Sequence, residues 1–244
     1  MELDEKVQAG HLENFPLEAV TSLQNLWLLP VAVISQVGRR LHLIFDFTLS
    51  GLNDIAERLS PMDVMHFGGA LLCILKQVLT TDPRLGPVYL SKVHLSYAYM
   101  RMWARIQDVP SFAFLIPKKT PRDTQLVGFH LSFTIGYIDS VLYFCMETET
   151  VADLANKAIS QRVQVSKHQL ELAAKSRATN NSRAHETKVD AIWEHLPEEQ
   201  RTAAKSNIHV YLDDLISVIQ RGPRERRKML RHLFHQIDRV LRPN

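Results

Sequence analysis

Apolar and polar positions change period several times along the chain, and each change predicts an element. Residues 31–35 and 41–47 are β-branched or aromatic runs on either side of Gln36-Val-Gly-Arg-Arg40, with turn-forming residues at 48–53, a pattern that predicts a hairpin with a basic tip. Ser60 and Pro61 have the chemistry of an N-cap and a first-turn proline. Val64, Phe67, Leu71, Ile74, Leu75 and Val78 follow at helical spacing, so a helix packed on the core is expected there. Beyond the Asp82-Pro83 break, residues 88–95, 112–116 and 126–133 read as strands, the last two joined by a link that carries Lys118, Lys119, Pro121, Arg122 and Asp123. From Ser140 the period returns to that of a helix, with Val141, Phe144, Thr148, Val151, Ala155 and Ile159 along one face. The polar stretch 161–206 predicts a mobile linker between helical pieces. Apolar runs return at 208–212 and 215–219 with Asp213 and Asp214 between them, and Pro223 opens an amphipathic helix with Met229, Leu230, Leu233, Phe234, Ile237, Val240 and Leu241 as its stripe. Together these elements predict an α/β (α+β) fold, a mostly antiparallel sheet backed by helices.

Composition narrows the function classes more than it selects one. With 45% hydrophobic and 23% charged residues, the 244-residue chain has enough apolar surface to bury a core. Its net charge of +3 leaves any attraction to nucleic acid to local clusters, at Arg39-Arg40, at Lys118, Lys119 and Arg122, and from Arg221 to Arg231. Cys73 and Cys145 have neither C-x-x-C spacing nor a zinc-type His partner, so no disulfide framework or structural zinc is expected, and a reducing, intracellular compartment is. The acidic start, Met-Glu-Leu-Asp-Glu-Lys, does not read as a signal or transit peptide, and the apolar stretches 26–34 and 71–79 fall short of the roughly 20 residues that span a bilayer. No membrane partner is expected.

The candidate chemistry lies at Tyr211-Leu-Asp-Asp214. Two adjacent carboxylates inside an apolar strand-turn-strand segment are costly unless their charge is compensated, and a divalent cation would do so. Taken alone, the same pair reads more readily as the polar tip of a hairpin turn. The surrounding motifs carry a resemblance. Tyr211 to Asp214 resembles the Tyr-x-Asp-Asp hairpin of reverse transcriptases. Val93-His-Leu-Ser-Tyr-Ala-Tyr99 and the later Phe112-Ala-Phe-Leu115 resemble that family's first palm motif, and Leu126 to Ser140, running on to Tyr143-Phe144, is similar to its second. Arg40 to Phe47 with Leu52-Asn53 resembles the fingers signature, and the tract from Tyr143 to Asn156 is similar to one found in the polymerase region of eukaryotic retrotransposons.

That resemblance implies a fingers-like region over 1–87, a palm with the first two motifs over 88–159, a polar helical insert over 160–206, and the Tyr-x-Asp-Asp hairpin with its helix over 207–244; no thumb is recognisable. It implies an RNA-directed DNA polymerase using Mg2+ (or Mn2+), dNTPs and an RNA or DNA primer-template, made as part of a retroelement polyprotein. Asp213 and Asp214 would be the catalytic carboxylates and metal ligands. The third carboxylate of a two-metal centre, needed because carboxylates must converge from separate segments, would stand at the position of His94. A neutral imidazole there is softer and lacks the negative charge, which weakens a magnesium site. The resemblance places Tyr99 as a steric gate against a ribose 2′-hydroxyl, Gly136 where the backbone approaches substrate, and His42 where a triphosphate-binding arginine is usual, with Arg40 as partial compensation. Thr134, Val141 and Leu142 depart from the second motif. Lys118, Lys119, Arg226 and Arg227 are the candidate nucleic-acid contacts. The alternative reading is a catalytically inactive, nucleic-acid-binding remnant.

Overall fold

The computed structural model describes residues 2–34, 38, 42–56, 69–175, 206–220 and 222–241. Within them the chain is of mixed α and β type. It forms two compact units, each assembled from two stretches: residues 1–63 with 97–144, and residues 64–96 with 145–244.

The first unit holds helices α1 (Glu2–Gln8), α2 (Leu17–Val20) and α3 (Leu52–Ile55), with strands β1 (Leu12–Pro16), β2 (Leu28–Leu29), β3 (Val31–Ile34) and β4 (His42–Phe45). The strands β6 (Ala113–Ile116) and β7 (Leu126–His130) join β1 and β2 in a sheet of order β1-β7-β6-β2, in which only the β2–β6 pair is parallel. The hairpin expected from the apolar runs at 31–35 and 41–47 is present as the antiparallel β3–β4 pair. Arg39 and Arg40 at its tip lie outside the described residues. β1 has no strand signal in its sequence, because only Leu12 of its five residues is buried and the alternation of a half-buried strand is missing.

Two aromatic and aliphatic clusters make the core of this unit. One gathers Leu12, Leu29, Phe45, Phe47, Leu52, Phe112 and Phe114; the other gathers Val20, Val109, Ala113, Val127 and Phe129. Gly128 lets the Phe114 ring lie across β7, since a Cβ there would sit 2.6 Å from its Cζ. His130 is buried in the same core, with its ring 4.5 Å from that of Phe45 and 5.2 Å from that of Phe114. Neither ring nitrogen has a hydrogen-bond partner. Burial, helped by the nearby charge of Lys6, pushes its pKa down to about 3, so it is held neutral.

The second unit is built on a three-stranded antiparallel sheet of β5 (Tyr89–His94), β9 (Asp214–Ile219) and β8 (Ser206–Tyr211), with β9 in the centre. Its helices are α4 (Ala70–Leu79), α6 (Gln169–Lys175) and α7 (Pro223–Leu241), together with the part of α5 (Ser140–Ser160) that follows Phe144. Leu215, Ser217, Val218 and Ile219 of the central strand are all fully buried. The three strands read from the middle of the sequence therefore separate: residues 88–95 pair with the carboxylate hairpin, while 112–116 and 126–133 belong to the first unit's sheet.

One expectation is corrected. The helix predicted from Ser60 is described only over α4, with Val64 and Phe67 outside the described residues. Its buried face is Ala70, Ile74 and Gln77, while Leu71 and Leu75 are exposed. The polar Gln77 takes the inner place because its ends are satisfied: His209 Nε2 donates to its Oε1 (2.8 Å) and its Nε2 donates to the Val218 carbonyl (3.3 Å). The polar helical insert expected over 160–206 is described as far as residue 175, and its helix α6 is anchored on α7. His168 accepts the Leu170 N–H at Nδ1, which leaves its Nε2–H to donate to Asp238 (2.9 Å), and Arg231 forms a two-pronged pair with Glu171. Residues 176–205 lie outside the described ones.

The edge strand β8 is covered by Asn156 of α5, whose side-chain amide bonds both backbone groups of Ile208, each at 2.9 Å. This prolongs the ladder onto the helix and blunts an otherwise open edge. Asn156→Ala leaves both Ile208 groups without that partner, and a loss of about 1–3 kcal/mol is expected in a denaturant titration. His130 gives a second outcome. Its pKa is lowered on folding, so the stability it permits is complete above about pH 6.5, the unfolded value, and is lost as pH falls toward 3, by up to about 1.4 kcal/mol per pH unit. His130→Leu, which fills a similar volume without stranded nitrogens, is expected to raise stability at pH 7 and to flatten the pH dependence of Tm between 6.5 and 4.

Candidate metal centre

The centre is fixed by strand register. β8 and β9 pair Tyr211 with Asp214, leaving Leu212 and Asp213 as a two-residue turn, and Leu212 takes a positive φ of 55°. Tight hairpins need such a conformation, and for a leucine it costs on the order of 1 kcal/mol or more. On the other side of β9, β5 pairs His94 with Asp214, and the Leu95 N–H donates to the Asp213 carbonyl at 3.0 Å. Three side chains from two chain segments thus reach one end of the sheet.

His94 Nδ1 lies 3.1 Å from Asp214 Oδ1 and 3.4 Å from Asp213 Oδ2. Among the described residues, His94, Asp213 and Asp214 form the group whose potential ligand atoms all lie within 4.8 Å of one another. Lys92 stands two residues before His94 and therefore on the same face of β5, and its Nζ is 3.0 Å from Asp214 Oδ2. Partial burial works to raise the Asp214 pKa, but the hydrogen bonds from Lys92 and His94 outweigh it and hold the carboxyl below its ordinary value. Asp213 is the more open of the two carboxylates, 38% exposed against 20%.

This arrangement holds its own counter-charge. Both oxygens of Asp214 are engaged, and an imidazole nitrogen that faces two carboxylates must carry its hydrogen toward them. A metal ion would require Nδ1 to surrender that proton and Lys92 to leave Oδ2. Magnesium, which demands hard oxygens in octahedral array, does not fit this donor set; one imidazole nitrogen with two carboxylates suits a softer ion such as zinc.

No family model matches the chain, and no curated protein is similar enough to it to count as a match.

The remaining candidate residues are distributed over both units. Tyr99 lies in the short turn Ala98–Arg101 of the first unit, half-buried, with its ring edge-on to Phe144 at 5.3 Å. Gly136 takes a φ of 106°, and a Cβ there would come within 2.9 Å of the Phe45 carbonyl oxygen, so the chain's own backbone already requires glycine. Its loop is clamped by Asn53, which donates to the Gly136 carbonyl and accepts from the Ile138 N–H, both at 3.0 Å. Lys118 and Lys119 are exposed beside a turn closed by Asp123 on Thr120. In the second unit Arg226 lies 4.9 Å above the Tyr89 ring, a cation–π contact that spends one face of its guanidinium inside the protein; Arg227 is partly exposed on the same helix. His42 pairs with Ile34 in the ladder, its side chain outside the described residues, as is Arg40.

Sequence reasoning overlooked Lys92. The signal was available, because period two on a strand puts residue 92 beside residue 94. Titrating the chain with Zn2+ in a calorimeter is expected to show weak binding that strengthens about tenfold or more in Lys92→Ala, as the competing cation is removed, and that Asp214→Asn abolishes. Lys92→Ala is expected to change folding stability by less than about 1 kcal/mol, since the pair is solvent-exposed.

Proposed function

We propose that the chain is the fingers-and-palm portion of a retroelement-type reverse transcriptase in which nucleotidyl transfer from dNTPs to a primer is impaired at the carboxylate centre. One observation carries this reading: Asp213 and Asp214 at the tip of a tight hairpin meet, by antiparallel register, the end of a separate strand at the position where the resembling motifs have aspartate. A polymerase palm needs that convergence of two segments on one point. An acidic pair that was only a solvated turn would need no third group across the sheet.

In this reading Asp213 and Asp214 retain the role of binding cations, while His94 and Lys92 take the place such cations would fill. His94 weakens the magnesium sites, and the primer hydroxyl and triphosphate lose part of the charge that would activate and orient them. The exposed side chains of Lys118 and Lys119 suit phosphate contacts of the sequence-independent kind. The engagement of both Asp214 oxygens favours the second reading, a nucleic-acid-binding remnant without catalysis.

Primer extension on an RNA template separates the two. For the polymerase reading, His94→Asp in Mg2+ is expected to raise incorporation by roughly 100-fold or more over the parent chain, the scale of one electrostatic group in an active site, with Asp213→Asn removing the gain. Silence of the parent, of His94→Asp and of His94→Asp with Lys92→Ala, each shown to be folded, leaves the non-catalytic reading.

A further inference from the structure

The loop that joins β6 to β7 is exposed throughout residues 117–124. Its base is tied. The ladder ends at the pair Ile116 and Leu126, and the Gln125 side-chain amide donates to both their carbonyls, at 2.8 and 3.0 Å. Within the loop, Thr120-Pro121-Arg122-Asp123 forms a turn closed by three hydrogen bonds. The Asp123 N–H donates to the Thr120 carbonyl (3.1 Å), and the Asp123 carboxylate accepts from the Thr120 N–H (2.8 Å) and from the Thr120 hydroxyl (2.7 Å). Pro121 suits the second place of such a turn, because its ring fixes the φ required there. The bond from the hydroxyl, and then that from the N–H, hold the Asp123 carboxyl below its ordinary value, so it is charged at neutral pH.

Two features of this turn point to a covalent modification. The Thr120 hydroxyl is held at the surface, and proline follows it directly. A protein kinase that offers no acceptor to the backbone after its target residue selects proline there, because any other residue would be left with an unpaired N–H. The loop also carries the charge that such a modification cancels. Lys118, Lys119 and Arg122 against Asp123 give it a net charge of +2, and a phosphate on Thr120 adds about −1.5 to −2 at pH 7.

We infer that Thr120 is a phosphoacceptor for a proline-directed kinase, and that its phosphate displaces Asp123 from the turn and switches off the loop's attraction for polyanions. The Thr120 Oγ1 attacks the γ-phosphorus of ATP. A new O–P bond forms as the bond from that phosphorus to the β–γ bridging oxygen breaks; ADP leaves with the electron pair, and the hydroxyl proton passes to the kinase's general base. The product lacks the hydrogen that Asp123 accepted, and two negative charges face each other where a 2.7 Å bond stood. Lys118, Lys119 and Arg122 are the neighbouring cations that draw the phosphate to themselves. The switch rests on the phosphate contacts proposed above for Lys118 and Lys119; the acceptor itself does not.

The test treats the full chain with ATP and a purified proline-directed kinase of the cyclin-dependent class, and maps the phosphate by mass spectrometry. Label is expected at Thr120, absent in Thr120→Ala and cut about tenfold or more in Pro121→Ala. The chain's other Ser/Thr-Pro pair, Ser60-Pro61, is told apart by the mass of its peptide. Asp123→Ala releases the hydroxyl and should speed labelling about fivefold, the worth of one hydrogen bond. These variants lie in an exposed loop and should melt with the parent. Fluorescence anisotropy of a labelled DNA duplex then reads the switch, with the phosphorylated chain binding about tenfold more weakly than the unmodified one. No label at Thr120, in the parent and in Asp123→Ala alike, overturns the proposal. Label with unchanged duplex binding overturns the switch. An unmodified chain that is labelled at Thr120 but does not bind the duplex sinks the phosphate-contact reading of Lys118 and Lys119 and leaves the acceptor standing.

Discussion

The pairing of β9 with strands on both sides is the constraint on which the second unit depends. A central antiparallel strand has every backbone group committed, so a one-residue slip would turn its fully buried residues outward and expose them. The two-residue turn at Leu212-Asp213 sets the register with β8, and the β5 ladder sets it on the other side. His94, Lys92 and the two aspartates meet for that reason alone. None of their mutual contacts is strong enough at the surface to hold the sheet; the sheet holds them.

Side-chain amides do much of the tying between elements. Gln77 links α4 to β9 and β8, Asn156 links α5 to β8, Gln220 donates to the carbonyls of Asp82 and Gly86, and Asn53 clamps the loop at Gly136 in the first unit. An amide suits this work because it offers a donor and an acceptor a fixed distance apart, matching a backbone N–H and carbonyl. Buried polar groups of this kind are favourable only when satisfied. His130, with neither nitrogen bonded, is the exception in the first unit's core, and it makes that core sensitive to acid.

At the carboxylate centre, charge compensation comes from within the chain. A divalent ion neutralises two aspartates from a position outside the protein's covalent structure, whereas here Lys92 pairs with Asp214 and His94 stands within hydrogen-bond distance of it, both side chains that the fold itself delivers. The first arrangement leaves a reactive cation facing substrate, and the second leaves a closed ion pair. Among the described residues no helix is long and apolar enough to cross a membrane, and Cys73 and Cys145 are free, the latter with its thiol pushed up to about 11 by burial.

What the sequence by itself determined was local. The hairpin at 31–47, the strands at 88–95, 112–116, 126–133 and 208–219, and the helices from Ser140 and Pro223 follow from period, turn residues and caps, whose physics acts over a few neighbours. The turn carrying Asp213 and Asp214 was legible in the same way, and a motif pointed to His94 as their partner. Tertiary structure decided which strands share a sheet, because pairing depends on edges that the sequence does not mark. It set Gln77 rather than Leu71 or Leu75 toward the interior of the second unit, because hydrogen-bond partners 132 and 141 residues away were there to receive it. It recruited β1, whose exposed residues carry no alternation, and it bound α6, a helical piece of the polar insert, to α7 through His168 and Arg231. It also placed Lys92 on Asp214, since contacts between residues far apart in the chain exist only once the backbone has closed.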